Sequence, residues 1–147
     1  MSIRKNEIES IEKVNNNLSL YEWNVLKTDV SPPNFLFEVL IVPEGAENLG
    51  ELFYSEIKDK LYVVVGSYSS RFYFDEDRYT METKYFISFL LSDNYDTKCL
   101  FTVNDREYWK YKSKSSVVDE NLLEQMYKNI FRNIYEVDDI LNNFLQD

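Results

Sequence analysis

Apolar residues recur every three or four positions in the first stretch, at Ile8, Ile11, Val14 and Leu18, with charge between them. That period predicts a helix over 4–17. The run Asn15-Asn16-Asn17 ends it, because asparagine favours caps and turns over helix interiors. From Tyr21 the period shortens. YEWNVLKTD (21–29) reads as a first strand, and Ser31-Pro32-Pro33-Asn34 breaks it, since proline fixes φ and removes a donor. FLFEVLIV (35–42) is apolar on both alternating faces, which predicts a central strand covered from both sides.

Leu49, Leu52, Phe53 and Ile57 fall on one helical face and predict a short helix over 46–58, although Gly50 weakens it. The rival reading is a strand running into a hairpin at Lys58-Asp59-Lys60. LYVVVGSY (61–68) is a β-branched strand. A turn at Ser69-Ser70 then leads into RFYF, in which Phe72 and Phe74 share a face that should enter the core. Tyr73 and Asp75 share the other. Asp75 to Asp77 form a second turn. Strands follow over Tyr79–Leu91, Thr97–Val103 and, beyond a turn at Asn104-Asp105, over Arg106–Lys114.

Ser116 and Asp119 have capping-box spacing. An apolar stripe then runs from Leu122 to Leu145. One continuous helix there would be about 40 Å long, so a bend is expected near Asp138-Asp139. The sum is an α+β fold: one domain over 1–147, with an antiparallel meander of six to seven strands flanked by an N-terminal helix and a long C-terminal helix.

Composition narrows function more than fold. The 147 residues carry a formal charge of -10 and no histidine. Acidity at that level repels nucleic-acid phosphates and anionic membranes and favours basic partners. The missing histidine removes the commonest general base, metal ligand and neutral-pH switch. A single cysteine, Cys99, allows neither an intrachain disulfide nor a cysteine-cluster zinc site, and so points to a reducing, cytoplasmic setting. In phase with Phe101 and Val103, it reads as a core thiol. MSIRKNEIES lacks the apolar segment of a secretion signal, and no apolar run reaches the length of a membrane span.

No sequence motif specifies a reaction. Gly45, Gly50 and Gly66 fit neither a dinucleotide fingerprint nor a phosphate loop, so no cofactor is expected. Asp75-Glu76-Asp77 and Asp93-Asn94-Tyr95-Asp96 lack calcium-loop spacing, and no metal is expected. REYWKYKSK interleaves bases and rings as single-stranded nucleic-acid binders do, but lysine on an edge strand guards equally well against aggregation.

The 12 tyrosines beside surplus carboxylate remain, and tyrosine is enriched at binding hot spots. The candidate partner-binding residues are therefore Tyr73, Asp75, Glu76, Asp77, Tyr79, Asp93, Tyr95 and Asp96. The expectation is a non-enzymatic inhibitor of the immunity, antitoxin or phage anti-host type, neutralising a basic partner such as a nuclease toxin. Two alternatives stand beside it. One is a small acidic secretion or assembly chaperone, homodimeric through the C-terminal helix. The other is a carboxylate-based, metal-dependent hydrolase.

Overall fold

The computed structural model describes residues 3–31, 34–93, 96–112 and 122–147. Among these, five antiparallel strands form one sheet in simple sequence order: β1 (Asn24–Leu26), β2 (Asn48–Lys58), β3 (Leu61–Asp75), β4 (Arg78–Ser92) and β5 (Thr97–Asn104). Helices α1 (Lys5–Asn16), α3 (Asp105–Lys112) and α4 (Leu122–Ile134) supply the layer on one face. The short α2 (Phe35–Val39) covers the other. A last helix, α5 (Val137–Gln146), follows α4 and buries none of its residues.

The α+β class and the helices at both ends agree with the sequence pattern; the six or seven strands do not. Two predicted strands are helical. FLFEVLIV begins as α2 because Asn34 caps it: its Oδ1 accepts from the Leu36 N–H at 2.8 Å, and its carbonyl accepts from Glu38 at 3.1 Å. Leu36 is then fully buried under the sheet. REYWKYK is α3 because Asn104 and Glu107 form a reciprocal cap. Glu107 N donates to Asn104 Oδ1 at 2.8 Å, and Asn104 N donates to Glu107 Oε1 at 3.3 Å. The predicted Asn104-Asp105 turn is thus a helix start. Tyr108 of this helix is buried in the core.

One predicted helix is a strand. Residues 48–58 pair with β3, burying Phe53 and Ser55 toward the helices and Leu52 toward α2. The hairpin at Asp59-Lys60 holds, with Lys60 at φ 66. Ser69-Ser70 is no turn, since β3 passes straight through it.

The C-terminal stripe breaks earlier than expected. Glu136 adopts a left-handed φ of 51, separating α4 from α5 two residues before Asp138. Arg132 then pairs across the break with Asp138. Cys99 is only half-buried and lies on the α2 face, away from Phe101 and Val103. A bulge explains it: Phe89 opposes Phe101 while Leu90 opposes Cys99, so Leu100 is an extra residue and the alternation inverts. The proposed Ser116–Asp119 cap and Lys114 lie outside the described residues.

Gly66 sets the spacing at the centre of the sheet. Cross-strand side chains close over it: a Cβ there would overlap Leu52 Cδ2 and stand 2.8 Å from the Phe86 ring. Gly66→Ala is expected to cost about 1–3 kcal/mol by overpacking, read as a lower urea midpoint at unchanged slope.

Candidate functional site: a projecting hairpin arm

β3 and β4 are each 15 residues long, and their neighbours are shorter. The pairing of β2 with β3 ends at Asn48 and Ser69, and that of β5 with β4 ends at Asn104 and Phe86. Beyond those points, among the described residues, no third strand pairs with either of them. They continue through Ser70–Glu82, Arg71–Met81, Phe72–Thr80 and Tyr73–Tyr79 to a two-residue turn at Glu76-Asp77. The ribbon reaches about 17–20 Å past the sheet, at 3.2–3.4 Å per residue.

Every residue from Arg71 to Met81 is exposed. Phe72 and Phe74, expected in the core, are 52% and 58% accessible, and Tyr73 is 54%. The alternation is that of a buried strand, but neither packed layer reaches this far. Strand pairing places Arg71, Tyr73, Tyr79 and Met81 on one face and Phe72 on the other, with Phe74 at the register shift next to Asp75. Large apolar side chains therefore occupy both sides.

A two-stranded ribbon alone is marginal in water. Here one face is braced. The Arg71 guanidinium stacks 4.6 Å from the Tyr79 ring centre, donates to Tyr73 Oη at 3.3 Å, and pairs through Nε with Glu47 at 2.8 Å. The Tyr73 and Tyr79 rings lie 5.5 Å apart. Arg71 is thereby held above its ordinary pKa, first by the Tyr73 bond and then by Glu47. The brace ties the arm's base to the segment preceding β2.

The tip is acidic. Asp75 Oδ1 accepts from Glu76 N at 2.7 Å, which fixes the turn. Among the described residues, Arg78 makes no ion pair with the three carboxylates beside it.

Thus Tyr73, Asp75, Glu76, Asp77 and Tyr79 come together on one element. Asp93 and Asp96 do not join them. They lie past the other end of β4, roughly 45 Å along the strand from the tip. There they line a cavity of about 480 Å³ with Phe35, Glu38 and Thr97. Asp93 is taken up by its own turn, accepting from Asp96 N at 2.8 Å, and Asp96 pairs with Lys98 at 3.4 Å. Tyr95 lies outside the described residues. Phe72, Phe74 and Met81 belong to the arm and were missed; their only signal was an aromatic run next to an acidic turn.

Among the described residues no three carboxylate or thiol groups converge as a metal site would need, and no helix is long and apolar enough to cross a membrane. The Asp105 carboxyl is structural. Its oxygens accept from Tyr85 N at 3.3 Å and Arg106 N at 3.1 Å, holding α3 to β4. Nearby, burial and the Asp105 charge push the Tyr68 phenol up to about 12.

Burial raises the Asp105 carboxyl above its ordinary 3.8. Between 3.8 and that raised value the native state binds more protons than the unfolded chain. Its contribution to stability is complete below 3.8 and is lost as pH rises through the native value. Asp105→Asn is expected to unfold at higher urea than the parent at pH 7, with the gap closing by about pH 3.5. A constant gap would contradict the assignment.

In comparisons with protein-family models, curated proteins and solved structures, nothing matches this chain.

Proposed function

We propose that this protein is a non-enzymatic binding module that blocks a basic cleft on another protein with its β3–β4 arm. The class is that of immunity proteins, antitoxins and phage antagonists of host enzymes, acting in the cytoplasm. One observation carries the reading: the arm is apolar on both faces and acidic at its tip. A ribbon with one apolar face is satisfied by a flat surface. Removing Phe72 and Phe74 as well as Tyr79 and Met81 from water requires walls on both sides, which is a cleft. Three carboxylates leading into that cleft favour a cationic floor. A net charge of -10 steers such an encounter from a distance. Active sites of nucleases and other phosphate-handling enzymes offer this combination.

Because the residues involved are exposed, two double variants separate binding from folding. Phe72→Ser with Phe74→Ser, and Glu76→Lys with Asp77→Lys, are each expected to leave the unfolding free energy within about 0.5 kcal/mol. Calorimetry against a partner recovered from the native host should show at least a tenfold loss for each. The charge reversal acts mainly through a slower, less salt-sensitive association. Full affinity in both variants would rule out the arm as the binding element.

A second reading, the dimeric chaperone, is favoured by α5. Ile140, Leu141, Phe144 and Leu145 line one side of this helix and are 49–80% accessible, continuing from Phe131 and Tyr135 of the preceding segment. An apolar stripe of this kind is the seam along which a second copy would pack. Sedimentation equilibrium is expected to give a dimer that Leu141→Asp with Phe144→Asp converts to monomer. A monomer at every concentration tested would remove this reading.

A further inference from the structure

The two edges of the sheet are built differently. β1 offers three residues, too few for another strand to follow. β5 has eight, and among the described residues it pairs only with β4. Its stretch Leu100–Val103 contains neither charge nor proline, the usual means of keeping an edge from pairing. Alternate backbone N–H and C=O groups along an antiparallel edge strand point away from its one neighbour. Among the described residues, no backbone group from elsewhere in the chain takes up those of 100–103.

A cavity of about 680 Å³ runs along this edge, with Leu100–Val103 as its floor. It reaches past the sheet in both directions. On the helix face its wall is Ile3, Arg4 and the first turn of α1. On the other face it is Ile41, whose carbonyl accepts from Thr102 Oγ1 at 2.6 Å. The bulge turns Leu100 outward, 50% accessible, and Ile41 is 61% accessible. The two carboxylates at the rim are already engaged: Glu7 accepts from Arg4 N at 2.9 Å, and Glu107 caps α3.

What remains is a slot with backbone hydrogen-bonding groups at its base, apolar side chains on its walls and one cation, Arg4, that no ion pair among the described residues takes up. Walls on both faces leave room for a single extended chain. The edge of a second copy carries its own α1 and Ile41 segment beside β5 and so fits a walled slot less well than a bare extended chain does. We infer that the outer edge of β5 receives an extended segment of another protein as a sixth strand. Main-chain pairing with Leu100–Val103 would hold it, and apolar side chains would meet Leu100 and Ile41 on one course and Ile3 on the other. This site is separate from the arm and stands without it.

The test is a selection of random nonapeptides displayed on phage against the full-length protein, followed by synthesis of the peptides recovered. Bound peptide is expected to slow amide exchange within 100–103. N-methylation at alternate peptide positions is expected to weaken binding at least tenfold, with little effect at the positions between. Leu100→Lys with Ile41→Lys, both exposed and so compatible with folding, is expected to weaken it similarly. The inference is overturned if no peptide is recovered, if affinity is indifferent to N-methylation, or if peptides respond to Phe72→Ser with Phe74→Ser and not to the edge variant.

Discussion

The pairing of β3 with β4 is the interaction on which everything else rests. It runs from Leu61 opposite Leu91 to Asp75 opposite Arg78, through one bulge near the tip. At its root the pair is buried on both faces. Val63, Val65, Ile87 and Phe89 meet the helix layer, while Val64, Phe86 and Leu90 meet α2. Gly66 lets Leu52 and Phe86 close over the strand between them. That double burial anchors the root, and only an anchored root can carry a ribbon into solvent. The arm is the part of the hairpin that outruns its neighbours, so arm and core are one pair of strands under two environments.

Much of this organisation is legible in the sequence, and its gaps have physical causes. The helical period of Ile8, Ile11 and Val14 and the β-branched run at Val63–Val65 specify α1 and the central strand. Short apolar runs carry less information. FLFEV suits a buried strand or a buried helix equally, and the deciding group is the Asn34 carboxamide that caps it. Asn104 and Glu107 likewise decide α3, against the alternation of the segment they begin. The inversion at Cys99 comes from a bulge, a single extra residue that no periodicity announces.

The arm was half legible for a related reason. Three consecutive acidic residues mark a turn, and the chain turns at Glu76-Asp77, within Asp75 to Asp77. Phe72 and Phe74 alternate as core residues do. Whether such rings are buried depends on how far β2 and β5 extend beside them, which is a property of the sheet and not of the segment. Asp93 and Asp96 failed to join the tip because a strand separates them, and acidity along a chain carries no information on distance across a fold. Among the described residues, the sheet that leaves the arm without a third strand also leaves β5 at its edge. The arm and α5 together expose large apolar side chains, among them Phe72, Phe74, Met81, Ile140, Phe144 and Leu145.

The free-standing arm, apolar on both faces, is the central claim, and nuclear magnetic resonance tests it most directly. Phe72 and Phe74 ring protons should show no contacts to the helices or to β2, and should broaden fully with a soluble paramagnetic agent, while Phe53 and Phe86 stay sharp. Protected Phe72 and Phe74 rings with contacts to either core cluster would contradict it.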